Sequence, residues 1–232
     1  MKKIAFQLFK NNINIFTNYI YIMSKHTELK RFYNNNKLEA GIDEAGRGPL
    51  FGAVFIGAAI LPPGDDFNHS LMRDSKKLSQ RKRVIAYDYI KENAVDWSVF
   101  SYDEKKIDEI NILAATLDGM HKALDNLLVK PEHLLVDGNM FKPYWLGDEI
   151  IPYTCIRGGD DKYTPIAAAS IIAKVERDNY IEKLCDQHPE FDEYYSIRSN
   201  KGYGAKKHLE GIEKHGITRY HRKTFGICKR FA

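Results

Sequence analysis

Two adjacent acidic residues, Asp43 and Glu44, stand beside a glycine-flanked arginine in the segment GIDEAGRGPLFG. Successive side chains on a strand point to opposite faces, so neighbouring acids converge on one site only where the strand ends and the backbone turns. Gly46 and Gly48 supply such a turn and leave the peptide N–H groups open to a ligand. Arg47 adds a fixed positive charge. Carboxylates beside a cation suit a phosphodiester bound together with metal ions.

Two later segments bring further acids towards the same place. The apolar run at residues 133–136 predicts a short buried strand, which puts Asp137 at its C-terminal end. Ligands of open α/β sheets bind beyond the carboxyl ends of the strands, so Asp137 is expected beside Asp43. An Asp-Gly pair by itself is more often a turn. Asp160 and Asp161 precede a predicted helix, whose positive N-terminal end favours carboxylates, and one of them can supply a fourth acid.

Hydrophobic patterns predict an α/β fold around these acids. Strands are expected at residues 37–44, 53–61, 95–102, 133–136 and 150–156, and the first two should form a hairpin at the centre of the sheet. Helices are expected at residues 80–92, with Ser79 as the N-cap, and at 164–185, with Thr164 as the N-cap. A helical region follows Asp103, with a core-facing apolar stripe of Ile107, Ile110, Leu113, Leu117, Met120, Leu124 and Leu127.

The composition is that of an ordinary globular protein. The chain has 232 residues, of which 44% are hydrophobic and 28% charged, enough for one well-packed domain. No apolar run is long enough to span a bilayer. The three cysteines, Cys155, Cys185 and Cys228, are odd in number and unclustered. This usage favours a reducing cytoplasm and argues against a disulfide framework or a zinc site.

Charge is distributed unevenly along the chain. The overall net charge is only +4, but residues 201–232 hold nine Lys or Arg against two Glu, a local charge of +7. The basic segment there contains Lys206, Lys207, His208, His221, Arg222 and Lys223. An acidic middle followed by a basic segment fits a carboxylate site beside a surface that holds a polyanion. The simpler alternative is a solvated basic tail.

Five motifs, taken in order, resemble one enzyme family. They are DEAGRGP with the glycine-rich strand after it, DSKKLS at 74–79, VDGN at 136–139, AAASIIAKVERD at 167–178, and KGYG followed by His208. Together they resemble type 2 ribonuclease H, the bacterial ribonuclease HII family, over roughly residues 38–227. The resemblance implies a ribonuclease H-like mixed five-stranded sheet flanked by helices, with a small C-terminal helical segment. It divides the chain into an extension (1–36), a catalytic domain (37–190) and a basic substrate-binding segment (191–232).

The resemblance also implies roles for individual residues. In the family the fourth acid lies ten residues before the serine of the AAS motif, here Ser170, which selects Asp160 over Asp161. Asp178 lies inside the helix and is expected to pair with Lys174 or Arg177. The implied catalytic and metal-binding residues are Asp43, Glu44, Asp137 and Asp160. The implied substrate-binding residues are Gly46, Arg47, Gly48, Lys76, Lys77 and Tyr203.

Two of the substrate assignments have simple alternatives. Lys76 and Lys77 could belong to a solvated turn, and Tyr203 could be an ordinary packed surface tyrosine. The resemblance instead favours a phosphate contact by either lysine and a Tyr203 ring that stacks on a nucleotide sugar. Two positions depart from the family pattern: Ala205 replaces a usual threonine, and Thr224 replaces a serine while keeping the hydroxyl.

The implied activity is that of a metal-dependent endoribonuclease. Clustered carboxylates repel one another unless cations lie among them, and oxygen ligands favour Mn²⁺ or Mg²⁺. The expected enzyme hydrolyses the RNA strand of RNA/DNA hybrids. It also nicks on the 5′ side of a single ribonucleotide in duplex DNA by two-metal-ion catalysis, leaving a 3′-hydroxyl and a 5′-phosphate. We expect a cytoplasmic monomer that binds hybrid or ribonucleotide-containing duplex DNA and no membrane.

Two other functional classes make different predictions. A different nuclease of the same fold, such as a junction resolvase or a type 3 ribonuclease H, would lack the pairing of the glycine-rich loop with Tyr203. It would cut an all-DNA junction, or a hybrid but not an embedded single ribonucleotide. A non-catalytic module would bind hybrid without metal and never nick it, but such a module has no reason to place acids against a phosphate.

The first 22 residues stand apart from the motifs. Lys2 and Lys3 ahead of apolar residues hint at a secretory signal, but four asparagines interrupt the run and no small-residue cleavage site follows. We expect an extension without a part in the chemistry. Met23 is a plausible alternative start of the functional protein.

Overall fold

The computed structural model describes residues 28–232, so the predicted extension up to residue 27 and the alternative start at Met23 lie outside the described residues. A five-stranded mixed sheet forms the centre, as predicted. Its strands are β1 (Glu39–Ala45), β2 (Val54–Ile60), β3 (Asp96–Tyr102), β4 (His133–Asp137) and β7 (Tyr153–Ile156), in the order β3-β2-β1-β4-β7. A separate hairpin pairs β5 (Tyr144–Leu146) with β6 (Glu149–Ile151).

The directions of the strands follow from their connections. β1 and β2 form the predicted antiparallel hairpin, and β3 extends it antiparallel to β2. β4 lies parallel to β1, and β7 lies parallel to β4, so three strands end at the same edge of the sheet. That edge is where the acids of β1 and β4 emerge.

One predicted strand is wrong in extent. The sequence predicts a single strand over residues 150–156, but the structure divides it between β6 and β7. Pro152 lies at the division. Proline has no N–H to donate to a strand ladder, so a continuous paired strand through this position is disfavoured.

Seven α-helices surround the sheet within residues 28–232. They are α1 (Gln80–Asn93), α2 (Glu104–Ile110), α3 (Ile112–Asp125), α4 (Thr164–Gln187), α5 (Glu190–Tyr195), α6 (Ile197–Asn200) and α7 (Lys206–His215). Ser79 caps α1 as predicted, since its hydroxyl accepts from Lys82 N–H at 3.4 Å. Asp103 caps α2 in the same way at 2.8 Å. The predicted cap at Thr164 is wrong: Tyr163 is the N-cap, and the buried Thr164 contacts His69 Nδ1 at 2.9 Å.

The apolar stripe after Asp103 is mostly core, with one exception. Asn111 has a positive φ of 67° and separates α2 from α3. The break changes the rotation of the second helix relative to the first, so one spacing cannot describe both. Leu117, Met120 and Leu124 are buried, as predicted. Leu113 is 39% exposed, which contradicts its assignment to the core face.

Two glycines let α4 lie directly on the sheet. A Cβ added to Gly41 would lie 2.1 Å from the carbonyl carbon of Pro165, and one added to Gly57 would lie 2.3 Å from the carbonyl oxygen of Ala169. α3 covers the opposite face through residues that pack on Ile42 and Ile56. The close contacts at these two glycines set the distance between α4 and the strands β1 and β2. Side chains of α4 can therefore reach the edge of the sheet where β1 ends.

The chain ends in a small helical segment, as predicted. α5, α6, α7 and the turn Gly226–Arg230 pack on the end of α4 through an apolar cluster that contains Ile181, Ile197 and Ile212. Phe51, from the loop after β1, is buried in the same cluster. The loop between β1 and β2 is thus held between the sheet and the C-terminal helices. Among residues 28–232, no helix combines the length and apolar character needed to cross a bilayer.

Candidate active site

Four acidic residues surround the carboxyl ends of β1 and β4. Ile42 is paired with Val136 in the parallel register, so the residues that follow them, Asp43 and Asp137, emerge on neighbouring strands. Adjacent strands lie about 4.8 Å apart, which brings the two carboxylates close together. Glu44 follows on β1. The predicted convergence of acids from distant segments on this edge of the sheet is therefore present.

Backbone and side-chain donors orient the acids of β1 and β4. Asp43 is 4% exposed, and its Oδ1 accepts the Glu44 N–H at 2.7 Å. A hydrogen bond from Ser170 on α4 also reaches Asp43, and the Ser170 hydroxyl contacts that of Ser75 at 3.0 Å. Asp137 Oδ1 accepts the Gly159 N–H at 2.7 Å.

The turn Gly159–Asp161 brings the remaining acid. Asp160 is 7% exposed, and the nearby charges of Asp137 and Asp74 act on it. Asp161 points elsewhere and pairs with Lys77 Nζ at 2.5 Å. Asp178 contacts Lys174 at 2.6 Å and Arg83 at 3.5 Å, so the predicted pairing with Lys174 is confirmed. Asp160 is repelled by the charge of Asp137, whereas the carboxylates of Asp161 and Asp178 pair with lysines.

Burial and mutual repulsion raise the pKa of three of these carboxyl groups. Burial raises the pKa of Asp43 well above its usual range, and the charges of Glu44 and Asp137 add to it. Burial also raises the pKa of Glu44, although Arg47, 3.2 Å away, opposes the shift. For Asp160, burial and then the Asp137 charge raise the pKa to about 6. The acidic edge therefore carries negative charge that the protein only partly compensates.

Lys76 provides part of that compensation. Burial disfavours its charge, but the surrounding carboxylates, chiefly Asp160 and Asp43, outweigh this and raise its pKa. Lys76 lines the cleft next to Glu44, whereas Lys77 is engaged by Asp161. The structure thus places the two predicted lysines differently: one faces the acids, and the other faces outward beside them.

The donor set fits a hard divalent cation on chemical grounds. The ligands available at this edge are carboxylate oxygens, they are largely buried, and their charge is incompletely balanced. In the part of the chain that the structure describes, no three Asp, Glu, His or Cys side chains form a ready-made metal-binding group. Asp43 and Asp137 each direct one oxygen to a backbone N–H.

The glycine-flanked loop after β1 is held from its buried side by two arginines. Gly46 has a φ of 97°, and a Cβ there would lie 2.2 Å from Arg177 Nε. Arg222, 0% exposed, donates from Nη2 to Gly46 O at 2.6 Å and from Nη1 to Arg47 O at 2.9 Å. Arg222 belongs to the basic segment of the sequence, but it is buried and therefore adds no charge to a surface that could hold a polyanion. His208 and His221 from the same predicted segment are also buried.

Tyr203 lies opposite this loop. Its side chain is 47% exposed, and its Cε1 is 3.5 Å from the position that a Cβ on Gly48 would take. The two loops are joined directly, because Leu50 N–H donates to Gly202 O at 2.8 Å. Both line a cleft of about 340 Å³ that also contains Glu44, Lys76 and Ser170. Of the six predicted substrate residues, Gly46, Arg47, Gly48, Lys76 and Tyr203 meet in this cleft.

Sequence reasoning missed several residues of the cleft that α4 contributes. Ser170, Lys174 and Arg177 recur at spacings of four and three, which places them on one face of the helix. That spacing was a usable signal. Arg177 does not pair with Asp178; its guanidinium donates to the backbone oxygens of Ala53 at 3.2 Å, Phe51 at 3.3 Å and Lys201 at 3.0 Å.

Comparisons with known proteins identify the family of the chain. The model of the family described as ribonuclease HII matches residues 40–228. The ribonuclease HII of Parabacteroides distasonis is 48% identical over 84% of this chain and 94% of that protein. That of Bacteroides thetaiotaomicron is 45% identical over 84% and 93%. The crystal structure of ribonuclease H2 from Pyrococcus horikoshii has a TM-score of 0.67 at 28% identity, over 83% of this chain and 96% of that one. The chain therefore belongs to the ribonuclease HII family of metal-dependent ribonuclease H hydrolases.

Proposed function

We propose that this enzyme hydrolyses the RNA strand of RNA/DNA hybrids and nicks duplex DNA on the 5′ side of a single embedded ribonucleotide. The products would carry a 3′-hydroxyl and a 5′-phosphate. One observation supports this most strongly: the loop of residues 46–48 and Tyr203 line the same cleft as Glu44 at the acidic edge. A loop that can hydrogen-bond the 2′-hydroxyl, next to acids that can bind metal ions and a phosphate, suits cleavage at a ribonucleotide.

The acids are proposed to hold two divalent cations, Mn²⁺ or Mg²⁺. Asp43 and Asp137 are the best candidates for shared ligands, and Glu44 and Asp160 complete the set. When bound, such ions supply an activated water and stabilise charge on the phosphate and on the leaving oxygen. The chain orients its own ligands: Ser170 and the Glu44 N–H hold Asp43, and the Gly159 N–H holds Asp137.

The cleft is proposed to recognise ribose through backbone groups and an aromatic ring. Arg222 occupies the carbonyl oxygens of Gly46 and Arg47 from the buried side, which supports 2′-hydroxyl recognition on the side of the loop that faces the cleft. The exposed ring of Tyr203 is available to stack on the sugar. Lys76 is the stronger candidate for a phosphate contact, because Lys77 is paired with Asp161.

A nicking assay with titrated metal tests this proposal. The substrates are a DNA duplex with one ribonucleotide, the same duplex made entirely of DNA, and an RNA/DNA hybrid. We expect Mn²⁺- or Mg²⁺-dependent cuts in the first and third, with the single nick 5′ of the ribonucleotide. Cleavage of hybrid without the single-ribonucleotide nick would favour a type 3 activity. Metal-independent binding without any nick would leave only a binding module.

Matched aspartate variants test the fourth acid. Asp160→Asn is expected to abolish turnover, because Asp160 shares the electrostatic environment of Asp137. Asp161→Asn and Asp178→Asn are expected to retain it, because their carboxylates pair with Lys77 and Lys174. The assignment fails if Asp178→Asn alone is inactive.

Tyr203→Ala should reduce the preference for the single ribonucleotide over the hybrid, and an unchanged preference would remove Tyr203 from the recognition site.

A further inference from the structure

A buried pair of histidines lies beneath Tyr203. Thr218 N–H donates to His221 Nδ1 at 2.9 Å, so that nitrogen accepts and carries no proton. A neutral His221 then has its proton on Nε2, which faces His208 Nε2 at 3.1 Å. His208 Nε2 must accept, which leaves the proton of His208 on Nδ1. That Nδ1–H donates to the carbonyl oxygen of Tyr203 at 2.8 Å. The contacts admit this one pair of neutral tautomers.

The residue after His221 reaches the other side of the cleft. Arg222 donates to three carbonyl oxygens of the loop between β1 and β2: Gly46 at 2.6 Å, Arg47 at 2.9 Å and Gly52 at 2.9 Å. Its own N–H donates to Leu50 O at 2.8 Å. Two consecutive residues therefore contact both structures that face the ribose. One acts through His208 on Tyr203, and the other acts directly on residues 46–47.

We propose that His221 and Arg222 form a positioning unit that fixes the distance between the loop of residues 46–48 and Tyr203. This inference rests on the proposed reading of ribose by that cleft. Neither residue faces the substrate, because both are almost fully buried. His221 donates to His208, whose Nδ1–H donates to the carbonyl oxygen of Tyr203, and Arg222 donates directly to carbonyl oxygens of the loop. None of these contacts uses an N–H group of residues 46–48 or the ring of Tyr203. A Cβ added to Gly48 would lie 3.5 Å from Tyr203 Cε1, so the gap between Gly48 and the ring has room for about one methyl group.

The chemistry of the unit supports a positional role over simple packing. Removing a guanidinium from water costs free energy, so a buried arginine is weak evidence for a purely stabilising role. Here Arg222 and Arg177 are both buried beside the same loop and bind carbonyl oxygens on it. Arrangements that hold reacting groups within a fraction of an ångström depend on such supporting hydrogen bonds.

Two substitutions of His208 separate positioning from packing. Both His208→Asn and His208→Gln remove the ring, so both should lower the thermal midpoint to a similar extent. The amide of Asn lies near the Nδ1 position and can still donate to Tyr203 O, whereas that of Gln lies near Nε2 and cannot. On duplex DNA with one ribonucleotide, we expect kcat to fall about tenfold in His208→Gln and by less than about threefold in His208→Asn, with little change in KM.

The packing control is Ile212→Val, which removes one methylene from the apolar cluster one helical turn after His208 and leaves every hydrogen-bonding group of the histidine pair in place. It should lower the thermal midpoint and leave kcat near that of the wild type. Equal losses of kcat in the two His208 variants, or a loss in Ile212→Val that follows its stability, would overturn the positioning role. If the wild-type enzyme itself does not nick at the ribonucleotide, the proposed function fails instead.

Nitrogen-15 spectra of the histidine side chains provide a readout that needs no turnover. At neutral pH they should show His208 with its proton on Nδ1 and His221 with its proton on Nε2. His208→Asn should leave the His221 tautomer unchanged, because Thr218 still donates to Nδ1. A His208 proton on Nε2 would refute the hydrogen-bond chain from His221 to Tyr203 whatever the substrate proves to be.

Discussion

Acidification should destabilise this protein through His221 before most carboxylates titrate. Burial, and then the neighbouring His208, lower the pKa of His221 from the ordinary 6.5 to about 3. Between these values the unfolded chain binds a proton at this position and the native protein does not, so stability falls as the pH falls. At about pH 5 the pH lies roughly 1.5 units below the pKa of His221 in the unfolded chain, and protonation there lowers the free energy of unfolding by about 2 kcal/mol.

Urea unfolding of the wild type and His221→Gln at about pH 7.5 and about pH 5 measures this contribution, because linear extrapolation to zero denaturant gives the free energy of unfolding at each pH. Other groups that titrate in this range are common to both proteins and largely cancel in the difference. The wild type should lose about 2 kcal/mol more than the variant. Equal losses in both proteins would mean that His221 is protonated or solvated in the native state, and the single tautomer pair would then be wrong.

Three substitutions test other parts of the structure. Asp43→Asn should lower turnover at least about a hundredfold. Without metal it should raise the thermal midpoint, because it removes a buried carboxyl group whose charge Glu44 and Asp137 repel. A lower midpoint would contradict this repulsion. Gly41→Ala should lower the free energy of unfolding by about 3 kcal/mol, because its Cβ would overlap Pro165, whereas the control Gly64→Ala, with no atom within 4 Å, should change it little. Arg222→Lys replaces three separate donor nitrogens by one ammonium, which cannot span the same three carbonyl oxygens. The variant should therefore reduce the preference for a single ribonucleotide while the protein stays folded, and an unchanged preference would exclude Arg222 from positioning.

Features that depend on neighbouring residues in the sequence were predictable. Ser79 and Asp103 bond the third residue after them, so their capping roles follow from a short segment of sequence. Asp137 follows three apolar residues, Leu134, Leu135 and Val136, and its position at the end of a strand needs no knowledge of distant contacts. The hairpin of β1 and β2 is equally local. These signals were sufficient to bring the acids of β1 and β4 to the same edge of the sheet.

Features that depend on distant contacts were not predictable in the same way. Arg222 and His221 resemble surface residues by type, and only the fold shows that carbonyl oxygens some 170 residues earlier in the sequence satisfy the guanidinium. Composition cannot distinguish a solvated arginine from one whose donors are met by backbone oxygens. The prediction that Leu113 faces the core was wrong for a related reason. The positive φ of Asn111 interrupts the helix, so the helical spacing of apolar residues does not continue across it.

The two glycines that flank Arg47 differ in what they would tolerate in protein engineering. Gly46 cannot accept a methyl group, because Arg177 already fills the space behind it. Gly48 has no such obstacle, since an added methyl would meet only the Tyr203 ring at ordinary van der Waals distance. Libraries that probe the proposed recognition of the 2′-hydroxyl should therefore vary residue 48 and keep residue 46 constant, because residue 48 borders the Tyr203 ring and residue 46 packs on Arg177.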